Sequence, residues 1–344
     1  MLSLPKFPQS KKNQKSAKKS KQTIRALAVL TSGGDAPGMN AAIRSVVRYG
    51  LAEGVQIYGV TKGYSGLLDG RMVPMTASSV ANIIQRGGTV LKTDRCLPFY
   101  EKEVRREAAN LLRRKGIDGL VVIGGDGSFT GAHLMENETG FPTIGVPATI
   151  DNDIIGTDDT IGFDTAVNTA LDAIDRIRDT ASSHDRIFLV EVMGRSSGFI
   201  ASHVGVGGGA ETIIVPERKE SLGAICETID RGIRRGKTSS IIVVAEGKTP
   251  GLSTRIAENL SKKGYSSRVC ILGHTQRGGT PTAHDRCLAS ALGASAVAYL
   301  MAGHSNSMVG IQKGEVVRVP FNQVIGKRKQ LNLDSLTLAQ ILAS

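Results

Sequence analysis

The feature that most constrains this chain is a repeated unit: a short apolar run that stops at glycines and is followed by a helical period. Arg25-Ala-Leu-Ala-Val-Leu30 stops at Thr31-Ser-Gly-Gly-Asp-Ala-Pro-Gly38, and Met39–Leu51 then carries apolar residues at helical spacing, with Gly54 beyond its end. Gly119-Leu-Val-Val-Ile123 stops in the same way at Gly124-Gly-Asp-Gly-Ser128. Apolar runs without polar alternation fit strands buried on both faces, and parallel strands need helical crossovers between them. The chain is therefore expected to be α/β, with parallel sheet covered on both faces.

The pattern continues along the chain. Val55–Thr61 reads as a strand, Gly63-Tyr-Ser-Gly66 as a turn, Ser79–Gln85 as a short helix and Glu101–Lys115 as a helix ended by Gly116. Thr143–Val146 is the next strand. Asp164–Arg178 follows as a helix, and Arg186–Val192 as a strand that breaks at Met193-Gly-Arg195. Ile213–Val215, Ser240–Ala245 and Arg268–Leu272 read as strands, Leu222–Arg235 and Asp285–Ala302 as helices. The polar motifs fall where strands end, the edge at which open α/β sheets hold ligands.

One of these ends is Gly145-Val-Pro-Ala-Thr-Ile-Asp-Asn-Asp153. Pro147 lacks an N–H and suits the point where a strand leaves its sheet. If the segment stays extended, Asp151 and Asp153 share one side and Asn152 takes the other. Two carboxylates facing one cleft can divide the labour, one taking a proton while the other positions a metal or a basic partner. Asp-Asn-Asp alone is also an ordinary turn sequence. Two Gly-Gly-Asp turns add to it. Their glycines admit close approach of a phosphate to a helix N-terminus, and their Asp offers a hard oxygen suited to Mg²⁺. Neither turn is a Walker A loop or a GxGxxG fingerprint. Arg95, Arg186, Arg195, Arg268, His274 and Arg277 sit at further strand ends and turns, where Arg grips a phosphate monoester bidentately. Glu246 among them is costly to bury unless it pairs or accepts a sugar hydroxyl. The sum is a phosphotransferase acting on a phosphorylated, hydroxyl-rich small molecule.

Composition sets the outer bounds. A chain of 344 residues with 40% hydrophobic content can bury a sizeable core and is expected to form about two domains. No apolar run reaches the roughly 18 residues of a membrane span. Cys96, Cys226, Cys270 and Cys287 form no CxxC pair, which fits a reduced cytoplasm. The net charge of +12 suggests a polyanion partner, but residues 1–25 hold eight basic residues and no acid, leaving four of the twelve charges to the rest. Residues 1–23 are expected to be a disordered basic tail, neither a secretory signal nor an Arg-rich transit peptide.

Thr31-Ser-Gly-Gly-Asp-Ala-Pro-Gly-Met-Asn-Ala41, Ile123-Gly-Gly-Asp-Gly-Ser128, Thr149-Ile-Asp-Asn-Asp153, Val192-Met-Gly-Arg195 and Leu272-Gly-His-Thr-Gln-Arg-Gly-Gly279 together resemble the signature motifs of the bacterial-type 6-phosphofructokinases. The likeness runs from about Ile24 to Gln312, in the family's order and spacing. It implies two similar Rossmann-like lobes with mainly parallel sheets. Residues 24–162 with about 276–326 would form the ATP-binding lobe, and 163–275 with about 327–344 the fructose 6-phosphate and effector lobe.

The resemblance also implies roles. Asp151 would take the proton of the fructose 1-hydroxyl as it attacks the γ-phosphorus. Asp126 would hold Mg²⁺ on the donor phosphates, supported by Asp153. Thr149 and Arg195 would contact the transferring group. Gly34, Tyr64, Arg95, Cys96, Gly127 and Ser128 would form the ATP site. Met193, Gly194 and Glu246 would line the sugar. His274 and Arg277 would grip its 6-phosphate, joined by Arg186 and Arg268 from a neighbouring subunit. Shared sites imply an obligate homo-oligomer, a tetramer by family habit. A cytoplasmic glycolytic enzyme is expected, with neither membrane nor nucleic acid as partner.

Gly127 bears on the phosphoryl donor. Pyrophosphate-dependent members carry Asp there, and Lys where this chain has Ala148, so ATP is the expected donor. Ala148 and Tyr100 nevertheless depart from the Gly and Arg of the common ATP form. Arg44, Arg48, Arg178, Glu211 and Lys237 match the family's effector pocket, although Ala77 stands where an Arg is expected and Arg235 where a Lys is. The alternatives are a pyrophosphate-dependent enzyme and, from another class, a non-catalytic regulator or polyanion binder acting through its lysine tail.

Overall fold

The computed structural model describes residues 24–182 and 186–343; the basic tail lies outside the described residues. In chain order the elements are β1 (Ala26–Ser32), α1 (Met39–Ala52), β2 (Gln56–Val60), α2 (Gly63–Leu68), β3 (Met72–Met75), α3 (Lys102–Arg114), β4 (Gly119–Gly124), α4 (Asp126–Thr139) and β5 (Thr143–Pro147). Then come α5 (Phe163–Ser182), β6 (Ile187–Val192), α6 (Phe199–Gly207), β7 (Thr212–Ile214), α7 (Leu222–Arg234), β8 (Ser240–Ala245), α8 (Leu252–Lys262) and β9 (Ser267–Ile271). The last are α9 (Ala283–Met301), β10 (Ser307–Gln312), β11 (Glu315–Pro320), α10 (Phe321–Val324) and α11 (Asp334–Leu342).

The chain divides into two compact units. The first takes the residues up to Thr149, Ile154–Gly162 and Thr280–Lys329; the second takes Ile150–Asp153, Phe163–Gly279 and the residues from Gln330. Ile150–Asp153 and residues 276–279, assigned from sequence to the first lobe, thus pack with the second unit, and residues 327–329 with the first.

In the first unit the strand order is β11-β10-β5-β4-β1-β2-β3. β1, β4 and β5 are buried at every residue, as their predominantly apolar sequences require. Five parallel strands are closed at each edge by an antiparallel one, β3 on β2 and β11 on β10. The register pairs Ser32 with Gly124 and Gly124 with Pro147. Three strands therefore end level, and the turns after them share one edge. Phe129, Phe141 and Phe321 fill the core on one face of this sheet.

The second unit holds a wholly parallel sheet in the order β7-β8-β6-β9. Val192 pairs with Ala245, and Glu191 with Ile271, so Met193, Glu246 and Leu272 again leave from one edge. Leu189, Ile225, Ile229, Ile242, Val244 and Leu260 make its core.

Three local expectations are corrected. Gly63–Gly66 is not a turn but the start of α2. Ser79–Gln85 forms successive turns instead of a helix: Val80 and Ile83 are buried at helical spacing, but Asn82 takes φ 54°, which a continuing helix excludes. The segment after Thr149 is not extended, because Ile150 and Asp151 form a turn and Asn152 takes φ 49°. The shared side expected for Asp151 and Asp153 from strand alternation therefore has no basis in the backbone.

Candidate active site

In the first unit the turns that carry the residues singled out from sequence lie at the carboxyl edge of the central strands. β1 opens into Gly33–Gly38, β4 into Gly125 and β5 into Ala148–Thr149, where Thr160 Oγ1 donates to Thr149 O at 2.7 Å. α4 begins at Asp126, so Asp126, Gly127 and Ser128 form its first turn; the Ser128 N–H donates to Gly125 O at 3.0 Å, and the Asp126 and Gly127 N–H groups precede the first intrahelical bond. A carboxylate there meets the positive end of the helix dipole. Asp126 is exposed, and its Oδ1 accepts the Gly326 N–H at 3.2 Å. Gly34 and Gly127 are exposed as well, whereas Ser128 is buried.

Gly127 lies in helical backbone, and a Cβ built on it meets nothing within 4 Å. Neither conformation nor packing asks for glycine there; open space in front of a helix N-terminus does. Tyr64, by contrast, is buried: its ring stacks on Phe99 with centroids 3.9 Å apart and its hydroxyl donates to Ser128 O at 2.7 Å. Burial pushes its phenol up, and nearby Cys96 adds to the effect. Tyr64 thus supports the α4 turn from behind.

Arg95 and Cys96 follow a segment bolted to the same edge by residues that sequence reasoning left without a role. Asn40, buried on α1, donates from Nδ2 to Arg86 O (3.0 Å) and Gly87 O (3.1 Å) and accepts the Val90 N–H (2.7 Å). Thr31 Oγ1 donates to Lys92 O at 2.9 Å, and Thr93 Oγ1 to Gly33 O at 2.7 Å. A buried Asn on the apolar face of a helix was the available signal, since it must find partners for its carboxamide.

In the second unit Asp151 is 4% exposed. Burial pushes its carboxyl up to about 6; the Asp153 and Glu246 charges act in the same direction, while Arg195 and Arg277 oppose them. A carboxyl poised there suits proton acceptance near neutral pH. Arg195 Nε stands 3.8 Å from Asp151 Oδ2. The loop that carries this arginine leaves β6 under strain, with Gly194 at φ 141° and Arg195 at φ 52°. Side chains hold it: Glu246 Oε1 accepts the Arg195 N–H (2.8 Å), and Ser197 Oγ lies 3.0 Å from Gly194 O and 3.2 Å from Asp151 O. Met193 is buried at the start of the loop. His274 and Arg277 stand on the 3₁₀ turn Gly273–Arg277 that follows β9. Asp153, Arg195, Glu246 and Arg277 are thus brought within electrostatic reach of Asp151. Arg268 is apart from them, exposed on the edge strand β9 with its Nη1 on Ser267 O, and Arg186 is half-buried just before β6.

The residues matched to an effector pocket divide between the units. Arg44 and Arg48 line a cavity of about 400 Å³ between α1 and α9 in the first. In the second, Arg178 donates to Gly208 O and Gly209 O, Glu211 Oε2 accepts the Ile241 N–H at 2.6 Å, and Lys237 Nζ reaches Glu211 at 3.4 Å and Ala343 O at 3.0 Å.

Among the described residues no group of three or more His, Cys, Asp or Glu could hold a metal ion. A single exposed carboxylate at a helix N-terminus, with one oxygen committed to a backbone amide, fits a Mg²⁺ that arrives on a ligand's phosphates. Two α/β units, each presenting glycine-bounded turns and charged side chains at the carboxyl edge of parallel strands, define a protein that binds small anionic ligands there. Comparison with known proteins narrows the class. The phosphofructokinase family profile matches residues 26–300. The chain is 55% identical over 324 residues to ATP-dependent 6-phosphofructokinase 1 of Thermus thermophilus, covering 93% of this chain and all of that protein. It is 50% identical to ATP-dependent 6-phosphofructokinase of Halothermothrix orenii, with the same coverage. Among solved structures, phosphofructokinase from Saccharomyces cerevisiae superposes with a TM-score of 0.81 at 36% identity over 92% of this chain, which spans 46% of the yeast chain. A pyrophosphate-dependent phosphofructokinase from Marinobacter aquaeolei shares the fold, with a TM-score of 0.79 at 23% identity over 90% of this chain and 86% of that chain. This chain belongs to the phosphofructokinase family.

Proposed function

We infer that this chain is an ATP-dependent 6-phosphofructokinase, transferring the γ-phosphoryl group of ATP to the 1-hydroxyl of D-fructose 6-phosphate to give fructose 1,6-bisphosphate and ADP. The observation that carries the mechanism is a buried carboxyl, Asp151, raised to about 6 beside the exposed Arg195 guanidinium. Asp151 takes the proton of the attacking hydroxyl. Arg195 and Thr149 face the transferring group, where positioning and charge count for more than base strength. Met193, Gly194 and Glu246 orient the sugar; His274 and Arg277 hold its 6-phosphate. Gly34, Arg95, Cys96, Gly127 and Ser128 form the nucleotide side, and Tyr64 acts from beneath it. Asp126 would hold Mg²⁺, with Asp153 supporting, and the ion would neutralise the donor phosphates.

ATP rather than pyrophosphate is supported by Gly127, whose missing side chain leaves room for a nucleotide. The exposed Arg268 on an edge strand, with Arg186, suits a site completed from a neighbouring subunit, so the working form is a homo-oligomer, a tetramer by family habit. Arg44, Arg48, Arg178, Glu211 and Lys237 are kept as the effector pocket. A cytoplasmic setting goes with this reading, and no helix among the described residues is long and apolar enough to cross a membrane. A coupled assay for fructose 1,6-bisphosphate tests the whole, with ATP or pyrophosphate supplied separately together with Mg²⁺ and fructose 6-phosphate. Turnover with ATP alone is expected. Turnover only with pyrophosphate overturns the donor assignment, and silence with both donors overturns the enzyme.

A further inference from the structure

β6 is flanked by β8 and β9, and its backbone alternates between them. Glu191 O accepts the Leu272 N–H on the β9 side at 3.0 Å, and Val192 O accepts the Glu246 N–H on the β8 side at 2.9 Å. The next N–H to face the β9 side is that of Met193. By then β9 has ended at Ile271 and the chain has turned into Gly273–Arg277, so no strand backbone remains to receive it. Gln276 supplies the missing rung. Its Oε1 accepts the Met193 N–H at 2.8 Å, and its Nε2 donates to Ala166 O of α5 at 3.4 Å. The side chain is 0% exposed.

This one carboxamide therefore joins three pieces: the turn that carries His274 and Arg277 on either side of it, the start of the Met193–Arg195 loop, and α5. The loop needs such a hold. A Cβ at Gly194 would lie 2.5 Å from Ser197 O, and Arg195 is in left-handed backbone. Glu246 fixes the loop at Arg195; Gln276 fixes it at Met193.

We propose that Gln276 is a positioning residue for the sugar phosphate, setting the spacing between the 6-phosphate grip at His274 and Arg277 and the reacting-end loop Met193–Arg195. The proposal rests on the assignment of these residues to fructose 6-phosphate. Gln276 touches neither substrate. It acts by holding, through one buried rung, two segments that must meet the two ends of the same molecule.

Q276M keeps the volume and removes both hydrogen bonds; Q276N keeps the carboxamide but shortens it by one carbon, out of reach of Met193. Initial rates of the full chain are measured against fructose 6-phosphate and against ATP, alongside amide exchange at Met193. With a buried N–H left unsatisfied, Q276M is expected to raise KM for fructose 6-phosphate by about tenfold or more and to lower kcat. KM for ATP should stay within about twofold, and Met193 should exchange faster. Should Q276M fail to fold, Q276N carries the same expectation. An unchanged KM for fructose 6-phosphate in a folded variant overturns the proposal, as does an equal rise in both KM values. Absence of turnover in the unmodified chain would instead sink the phosphofructokinase assignment, so the two failures are told apart.

Discussion

Arg195 Nε stands 3.8 Å from Asp151 Oδ2, and the two side chains differ in exposure, 59% for the arginine and 5% for the aspartate. An exposed guanidinium is screened by water and salt, whereas the desolvation of a buried carboxylate is not. Burial therefore wins over the nearby cation, and Asp151 rises to about 6 instead of falling. As the general base, Asp151 must be ionised to act. The acid limb of kcat/KM for fructose 6-phosphate is expected to have its midpoint at about 6, the value in the free enzyme. A pH–rate profile checks this, and a midpoint below 5 on that scale would remove the burial argument.

The same shift has a consequence for stability. Asp151 goes from an ordinary 3.8 to about 6 on folding, so the folded state binds its proton more tightly. The favourable contribution is complete below the unfolded value and is lost as pH rises through the folded one. Above it the ionised carboxylate costs about 3 kcal/mol relative to a neutral group. D151N is therefore expected to be more stable than the parent at pH 8, by up to that amount, with the gain vanishing near pH 4. Its turnover should fall by orders of magnitude at both. Urea unfolding at the two pH values gives the comparison; a D151N less stable at pH 8 contradicts it.

Much of the fold was legible because buried parallel strands leave an unmistakable trace. β1, β4 and β8 are short, apolar over most of their length and followed within two residues by a glycine, and the turns after β4 and β8 carry Asp126 and Glu246 to the sheet edges. The two antiparallel edge strands of the first unit were not legible. β3 is only Met-Val-Pro-Met, with Pro74 inside it, and β11 alternates too weakly to stand out. α6, Phe-Ile-Ala-Ser-His-Val-Gly-Val-Gly, is buried on most of its surface and lacks the polar face that marks a helix. At the site, charged residues at strand ends could be found by type. Gln276 and Ser197 could not, because their importance lies in which backbone group each one meets, and that depends on register across distant segments.

Gly127 separates room for a ligand from the needs of the fold. Its backbone is helical and its Cβ position is empty. Replacing a helical glycine by alanine where the conformation is compatible stabilises by about 0.4–1 kcal/mol. G127A is expected to fold at least as well as the parent yet bind ATP more weakly, and G127D to lose ATP turnover almost entirely while remaining folded. Thermal melting beside KM for ATP measures both effects. A G127D with undiminished ATP turnover would show that no donor occupies that space.

Arg105 and Glu138 test how the nucleotide side is held. Arg105 is buried on α3 and grips Glu138 through Nε at 2.7 Å and Nη2 at 2.5 Å, while its Nη1 donates to Phe99 O (2.9 Å) and Tyr100 O (2.7 Å). The guanidinium holds the Glu138 carboxyl below its ordinary range. Removing one partner of such a pair costs roughly 3–5 kcal/mol, whereas replacing both by apolar groups is often nearly neutral. The two carbonyls break that symmetry. R105M is expected to lose the full amount, but R105M/E138L should recover only the ion-pair part. It should stay about 1–3 kcal/mol below the parent for the Phe99 carbonyl, left buried without a donor, and lose less at the carbonyl of the exposed Tyr100. The residue should appear with a raised KM for ATP, because the 3₁₀ turn Leu97–Tyr100 directly follows Arg95 and Cys96. Denaturant midpoints of the parent, both single variants and the double variant separate the two parts. A double variant as stable as the parent, with KM for ATP unchanged, would mean that the turn is held by Phe99 packing on Tyr64 alone.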